Sequence, residues 1–120
     1  MRLNVWILAA LAACIVFPQA VLATAPSAVK TSYDAQRGEL NVTVEHHVTG
    51  LSKHYIQEVV VTKNGEEVAR RTFDAQTSHR EQTMPPFKLH FAPRDDVKVR
   101  ATDNRGSSSS TTVDLETTSK

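Results

Sequence analysis

The clearest pattern along the chain is alternation with a period of two. From Gly38 onward, Leu40, Val42, Val44 and His46 fall on one face, and Asn41, Thr43, Glu45 and His47 on the other, as in a half-buried strand. Residues 55–62, "YIQEVVVT", are rich in β-branched and aromatic side chains and predict a second strand. It runs into "KNGE", where Asn64-Gly65 supplies the two positive-φ positions of a type I′ turn, so a hairpin returns through Glu66 to Phe73. Residues 74–86, "DAQTSHREQTMPP", follow neither the strand nor the helix period and end in two prolines, which predicts a loop that cannot sit in a central strand. Alternation resumes in "FKLHFA", with Phe87, Leu89 and Phe91 inward and Lys88 and His90 outward. After a "PRDD" turn, Val97, Val99 and Ala101 repeat it against Lys98, Arg100 and Thr102. "DNRG" at Asp103 to Gly106 turns the chain once more, ahead of a last strand within Ser109 to Glu116.

About seven short strands with turns roughly every ten residues, and no sustained helical period, predict an all-β fold: an immunoglobulin-like antiparallel β-sandwich. The sandwich is expected over residues 38–116. Residues 24–37 read as a small, polar leader, ordered only if it pairs with a strand edge, and residues 117–120 as a frayed tail. The cysteine and tryptophan pattern of antibody domains is missing, since the one tryptophan, Trp6, lies in the apolar start of the chain.

That start changes the picture of where the protein works. Arg2 precedes an apolar run from Val5 to Phe17, and small residues lead to Ala23, the layout of a secretory signal over residues 1–23. The run, about 13 residues, is shorter than the roughly 20 of a membrane-spanning helix, so a periplasmic or secreted bacterial protein without a transmembrane anchor is expected. "LAAC" at Leu11 to Cys14 offers the alternative of a lipoprotein anchored at Cys14, against which the apolar Ile15, Val16 and Phe17 count. Cleavage after Ala23 would remove the only cysteine, and with it any disulfide, thiolate ligand or cysteine nucleophile. It also removes Arg2 from fourteen basic side chains, which then balance thirteen acidic ones. A neutral chain has no basic footprint for nucleic acid. The "NVT" sequon at Asn41 falls in mid-strand and reads as chance.

Candidate chemistry gathers in "HHVTGLSKHYIQEVVV", residues 46–61, which holds three of the five histidines. His47 and His54 flank one loop, and His46 follows the inward face. A metal site, a pH-sensitive switch and a polar loop clamp are all readings of such a cluster, beside the bland one of a surface strand edge. Other groups carry less. The run Ser107 to Ser110 with Thr111 and Thr112 has no base at fixed spacing. Asp95-Asp96 and Glu66-Glu67 sit at turns, where carboxylates serve local backbone bonding. Arg70 and Arg71 point to opposite faces of one strand.

The histidine stretch and the "VTKNGEEV" hairpin resemble the iron-binding domain of desulfoferrodoxin and superoxide reductase, in which a histidine and a short loop precede "HYI". That resemblance implies iron as cofactor, held by four histidines and a cysteine, and maps two ligands onto His47 and His54. It departs where a "CxxH" segment should follow the late strand: the chain reads "DNRG", with Asp103 about where the cysteine would stand and no histidine after it. His46 and Asp103 are further ligand candidates, while His79 and His90 match nothing in the motif. The same hairpin, the apolar "FKLHF" and above all "DNRG" are similar to the Z subunit of the thiosulfate-oxidation carrier complex, the SoxZ family, over roughly residues 40–115. This second resemblance implies a sandwich without metal or other cofactor. It implies a non-catalytic protein that binds a second periplasmic subunit, whose terminal cysteine arm carries the sulfur intermediate.

Overall fold

The computed structural model describes residues 25–116; residues 1–24, where the secretory signal is expected, and 117–120, where the frayed tail is expected, lie outside the described residues. Eight strands and no helix make up the described chain: β1 (Ala28–Asp34), β2 (Glu39–Glu45), β3 (Ile56–Lys63), β4 (Glu66–Thr72), β5 (Glu81–Thr83), β6 (Phe87–Lys88), β7 (Val97–Asp103) and β8 (Ser108–Thr112). They form two antiparallel sheets. The first has the order β1-β2-β5, with β6 also paired to β2, and the second has the order β4-β3-β7-β8. Two sheets of alternating strands packed face to face are the β-sandwich that the period-two pattern predicts.

The core lies between the sheets. Val29, Tyr33, Leu40, Val42 and Val44 face it from the first sheet, and Ile56, Val59, Val61, Val97, Val99 and Ala101 from the second, with Phe87 and Val113 closing its margins. The inward and outward sets read from β2 and β7 are the buried and exposed sets observed. The β3–β4 hairpin also forms as read. Lys63 pairs with Glu66, and between them Asn64 and Gly65 take φ of 52° and 88°, the left-handed pair that a two-residue turn between right-twisted strands requires. A register shift follows at Val61/Thr62, where the return strand carries the extra, exposed residue Val68.

Three elements differ from the sequence reading. Half of the stretch read as a leader is β1, which does pair with a strand, β2, along its whole length from Ala28↔Glu45 to Asp34↔Glu39, so the sandwich starts upstream of Gly38. The stretch read as an unbroken loop holds β5, three residues that pair Thr43–Glu45 of β2. Pro85 and Pro86 then interrupt this side of the sheet before β6 resumes on Glu39 and Leu40, which leaves the prolines at an edge where missing N–H donors are tolerated. Finally, "FKLHFA" pairs only through Lys88. Beyond it the backbone is taken over by other partners. The Leu89 N–H donates to the Gly38 carbonyl, the Tyr33 hydroxyl donates to the Leu89 carbonyl, and the Phe91 N–H donates to that hydroxyl.

One cationic side chain spans the sheets. Arg71 points inward from β4, its guanidinium 3.9 Å from the centre of the Phe87 ring, and donates to the carbonyls of Pro85 and Pro86. Burial lowers its pKa from the ordinary arginine value. Arg70, on the opposite face, pairs with Glu58 and Glu67 instead.

Candidate functional site

At the end of the sandwich where β2 stops, β3 starts and β7 stops, three titratable side chains meet in the interior. Alternation along β2 continues one residue past the strand, so the inward face delivers His46, which is fully buried, and turns His47 out to solvent. The chain then makes a short turn in which the Lys53 and His54 amides both donate to the Gly50 carbonyl, and this drops His54 in front of Ile56 at the start of β3. Asp103 is the last residue of β7, in register with Ile56, and its side chain has no exposed area. The site's three members therefore come from three segments, two of them on one sheet and one on the other.

Asp103 is the hub. Its Oδ2 lies 2.9 Å from Nε2 of His54 and 3.6 Å from Nε2 of His46. Its Oδ1 accepts the N–H groups of Arg105 and Ser107, each at 2.9 Å, closing the "DNRG" turn through its own side chain. Burial opposes the charge, yet the hydrogen bond from His54 and those from the Ser107 and Arg105 amides outweigh it and hold the carboxyl below the usual aspartate range. With the carboxylate ionised it can only accept, so His54 carries its proton on Nε2 when neutral. The two imidazoles meet edge to face with ring centres 4.6 Å apart.

A fourth side chain fixes the second ring. Gln76, buried in the β4–β5 connection, donates from Nε2 to the carbonyls of His46 and Ser78, at 2.7 and 2.9 Å. Those two acceptors orient the amide, so Oε1 is the atom 2.8 Å from Nδ1 of His46, and it accepts the Ile56 N–H as well. His46 Nδ1 is therefore a donor, and Nε2 is the atom turned to Asp103. Asn104 fastens the loop from outside the cluster. Its Oδ1 accepts the Tyr55 N–H, its Nδ2 donates to the Lys53 carbonyl, and its own N–H donates to the Tyr55 carbonyl, gripping the residues on either side of His54.

Of the residues singled out in the sequence, His54, His46 and Asp103 are brought together, and His47 is not: it is exposed, one position too late on the alternation. His79 is exposed and directs Nδ1 to the Val48 carbonyl at 3.1 Å, and His90 packs its ring over Gly38 at the opposite end of β2. The serine run forms β8, where Ser109 donates to the Pro26 carbonyl at 2.6 Å. Gln76 had no signal in the sequence, being an uncharged residue in an aperiodic stretch. Chemically the cluster can do two things. It ties the two sheets together, with Gln76 bridging His46 to the Ile56 N–H and Asp103 facing both imidazoles, and it brings two imidazole nitrogens and a carboxylate oxygen within 4.8 Å of one another, a donor set that a metal ion could share.

Among families of known proteins, the sequence profile described as "Sulphur oxidation protein SoxZ" matches residues 41–114, well over half the chain. The match runs from the second position after the start of β2 to just past β8. No curated protein and no solved structure matches the chain.

Proposed function

The chain belongs to the SoxZ family, and from that premise we propose that it is an exported, non-catalytic module that binds a sulfur-carrying protein partner in the periplasm. The family match over residues 41–114 carries this reading, because it covers the second to eighth strands of the sandwich rather than a short motif. Two features support it. The single cysteine, Cys14, lies in the signal stretch outside the described residues, so a covalently carried sulfur would sit on a thiol that the partner supplies. Second, β4 and β5, the outer strands of opposite sheets, leave an open groove of about 510 Å³ lined by Thr72, Phe73, Asp74, Ala75, Thr77, Gln82 and Thr83. Inside it Gln82 is almost wholly buried, and its Oε1 has no hydrogen-bond partner among the described residues. An extended arm from a partner could lie along such strand edges.

Export fits the apolar run and small residues before Ala23, and among the described residues no helix is long and apolar enough to cross a membrane. The test is direct. The purified protein is mixed with a carrier subunit bearing a terminal cysteine arm, and association is measured by calorimetry and gel filtration. A one-to-one complex, weakened by Ala75→Trp in the groove, is the expected result. Failure to bind any carrier subunit, with the sandwich intact, overturns the reading. Mass spectrometry of the exported chain gives a start at Thr24 if cleavage follows Ala23, and a lipid-bearing start at Cys14 if the chain is anchored instead.

A further inference from the structure

From its geometry we infer that His46, His54 and Asp103 form a binding site for a single divalent transition-metal ion, zinc in the first instance, separate from the partner-binding role. Three side chains converge from three segments of chain, each with a ligand atom within 4.8 Å of the others, and Nε2 of His46 and Nε2 of His54 both face Oδ2 of Asp103. Tetrahedral ligands at ordinary zinc bond lengths stand about 3.3 Å apart. The two separations to Asp103 Oδ2, 2.9 and 3.6 Å, bracket that value.

The surroundings of the three ligands are those a metal centre uses. His46 donates Nδ1–H to Gln76 Oε1, which orients the ring with Nε2 toward the cluster, and Gln76 is itself held by two backbone carbonyls. Asp103 spends Oδ1 on two backbone amides and presents Oδ2 to both imidazoles. Loading requires His54 to move its proton from Nε2 to Nδ1, so that Nε2 can donate its lone pair to the ion. His54 is also the member nearest solvent, 9% exposed where His46 and Asp103 are sealed, which places the fourth position of the ion on its side. Two imidazoles and one carboxylate with one open position suit zinc, and by ligand type also copper, cobalt or ferrous iron, the last of which is held elsewhere by the same facial set of two histidines and a carboxylate.

The untagged protein is titrated with zinc by calorimetry, and with cobalt(II) while the visible spectrum is recorded. One ion per chain is expected, with the intense visible bands of four-coordinate cobalt and a rise in Tm on loading. His54→Gln should weaken binding by at least roughly a hundredfold and Gln76→Ala by roughly tenfold, the latter because it frees the His46 ring without removing a ligand. His47→Ala should change nothing. If a cluster variant fails to fold, ring resonances of the unaltered protein decide the matter: zinc must shift those of His46 and His54. The site is overturned if no stoichiometric binding occurs, in which case the cluster is only a latch between the sheets. It is equally overturned if binding follows His47, His79 or His90.

Discussion

Asp95 and Asp103 do the same job at opposite ends of the sandwich, with opposite surroundings. Each folds its side chain onto a turn. Asp95 accepts the Ala92 N–H on one oxygen and the Asn64 side-chain amide on the other, linking the β3–β4 turn to the connection before β7. Asp103 accepts two amides on one oxygen and faces two imidazoles with the other. Both carboxyls are held below the usual aspartate range: Asp95 chiefly by its hydrogen bonds from Ala92 and Asn64, with Lys63 and Arg94 helping and burial opposing only weakly, Asp103 against burial as the largest single effect. The exposed network can be replaced by water when it breaks. The buried one cannot, and this makes the same residue type ornamental at one end of the molecule and structural at the other.

The largest expected effect comes from breaking the buried end. Asp103→Ala strands two imidazoles and two turn amides in the interior and should cost on the order of 3 kcal/mol in urea denaturation. Gln76→Ala leaves the Ile56 N–H, the His46 carbonyl and His46 Nδ1 without their partner and should cost about 2 kcal/mol by the same measurement. At the exposed end, Gly65→Val forces a β-branched residue to φ of 88° and should cost about 1 kcal/mol or more, through backbone strain rather than lost contacts. Asp95→Ala should shift the urea midpoint least of all. If it matches Asp103→Ala, the contrast between the two ends is wrong.

Acid sharpens the same contrast. A carboxyl whose native pKa lies below its unfolded value adds stability that is fully present above the unfolded pKa, and that is lost as pH falls through the native one. Both aspartates follow this sign, so the wild-type protein should lose stability as pH falls from about 5 toward 2. Asp103→Asn should flatten that slope. Asp95→Asn should flatten it less, because water and salt screen the exposed site. Equal slopes in the two variants would place the buried carboxylate's contribution elsewhere.

Regular alternation made most of the sandwich legible in the sequence. β2, β3 and β7 announce themselves through Leu40, Val42 and Val44, through the run Val59 to Val61, and through Val97, Val99 and Ala101, because each strand has one face that must leave water. The Asn64-Gly65 turn was equally plain, since few residue pairs accept two positive φ values. β1 was missed although Val29 and Tyr33 alternate correctly: Lys30, Thr31 and Ser32 give it too little apolar weight to outvote its position beside the signal stretch. β5 is three residues long, and its existence depends on β2 being there to pair with.

The cluster was half legible for a related reason. His54 and Asp103 could be picked out as side chains able to bind metal, and the inward phase of His46 followed from β2. Pairing His47 with His54 rested on loop ends, whereas the pleat decides which ring turns inward. Gln76 lies in an aperiodic stretch, and the four hydrogen bonds of its side chain exist only once distant segments have assembled around it.

The contact between Ser109 and Pro26 bears on how fast the protein matures. A hydrogen bond across 83 positions of chain brings the segment before β1 beside β8, and the pairings β2–β5, β2–β6 and β3–β7 also join distant segments. Topologies of this kind assemble on the order of milliseconds to seconds, far slower than helical chains of the same size. A chain delivered amino terminus first would expose β1 to β4 while β7, the partner of β3, was still absent. Until β7 arrives, the edge of β3 that pairs with it stands open, and the protein depends on whatever keeps unfinished sheets from pairing with one another.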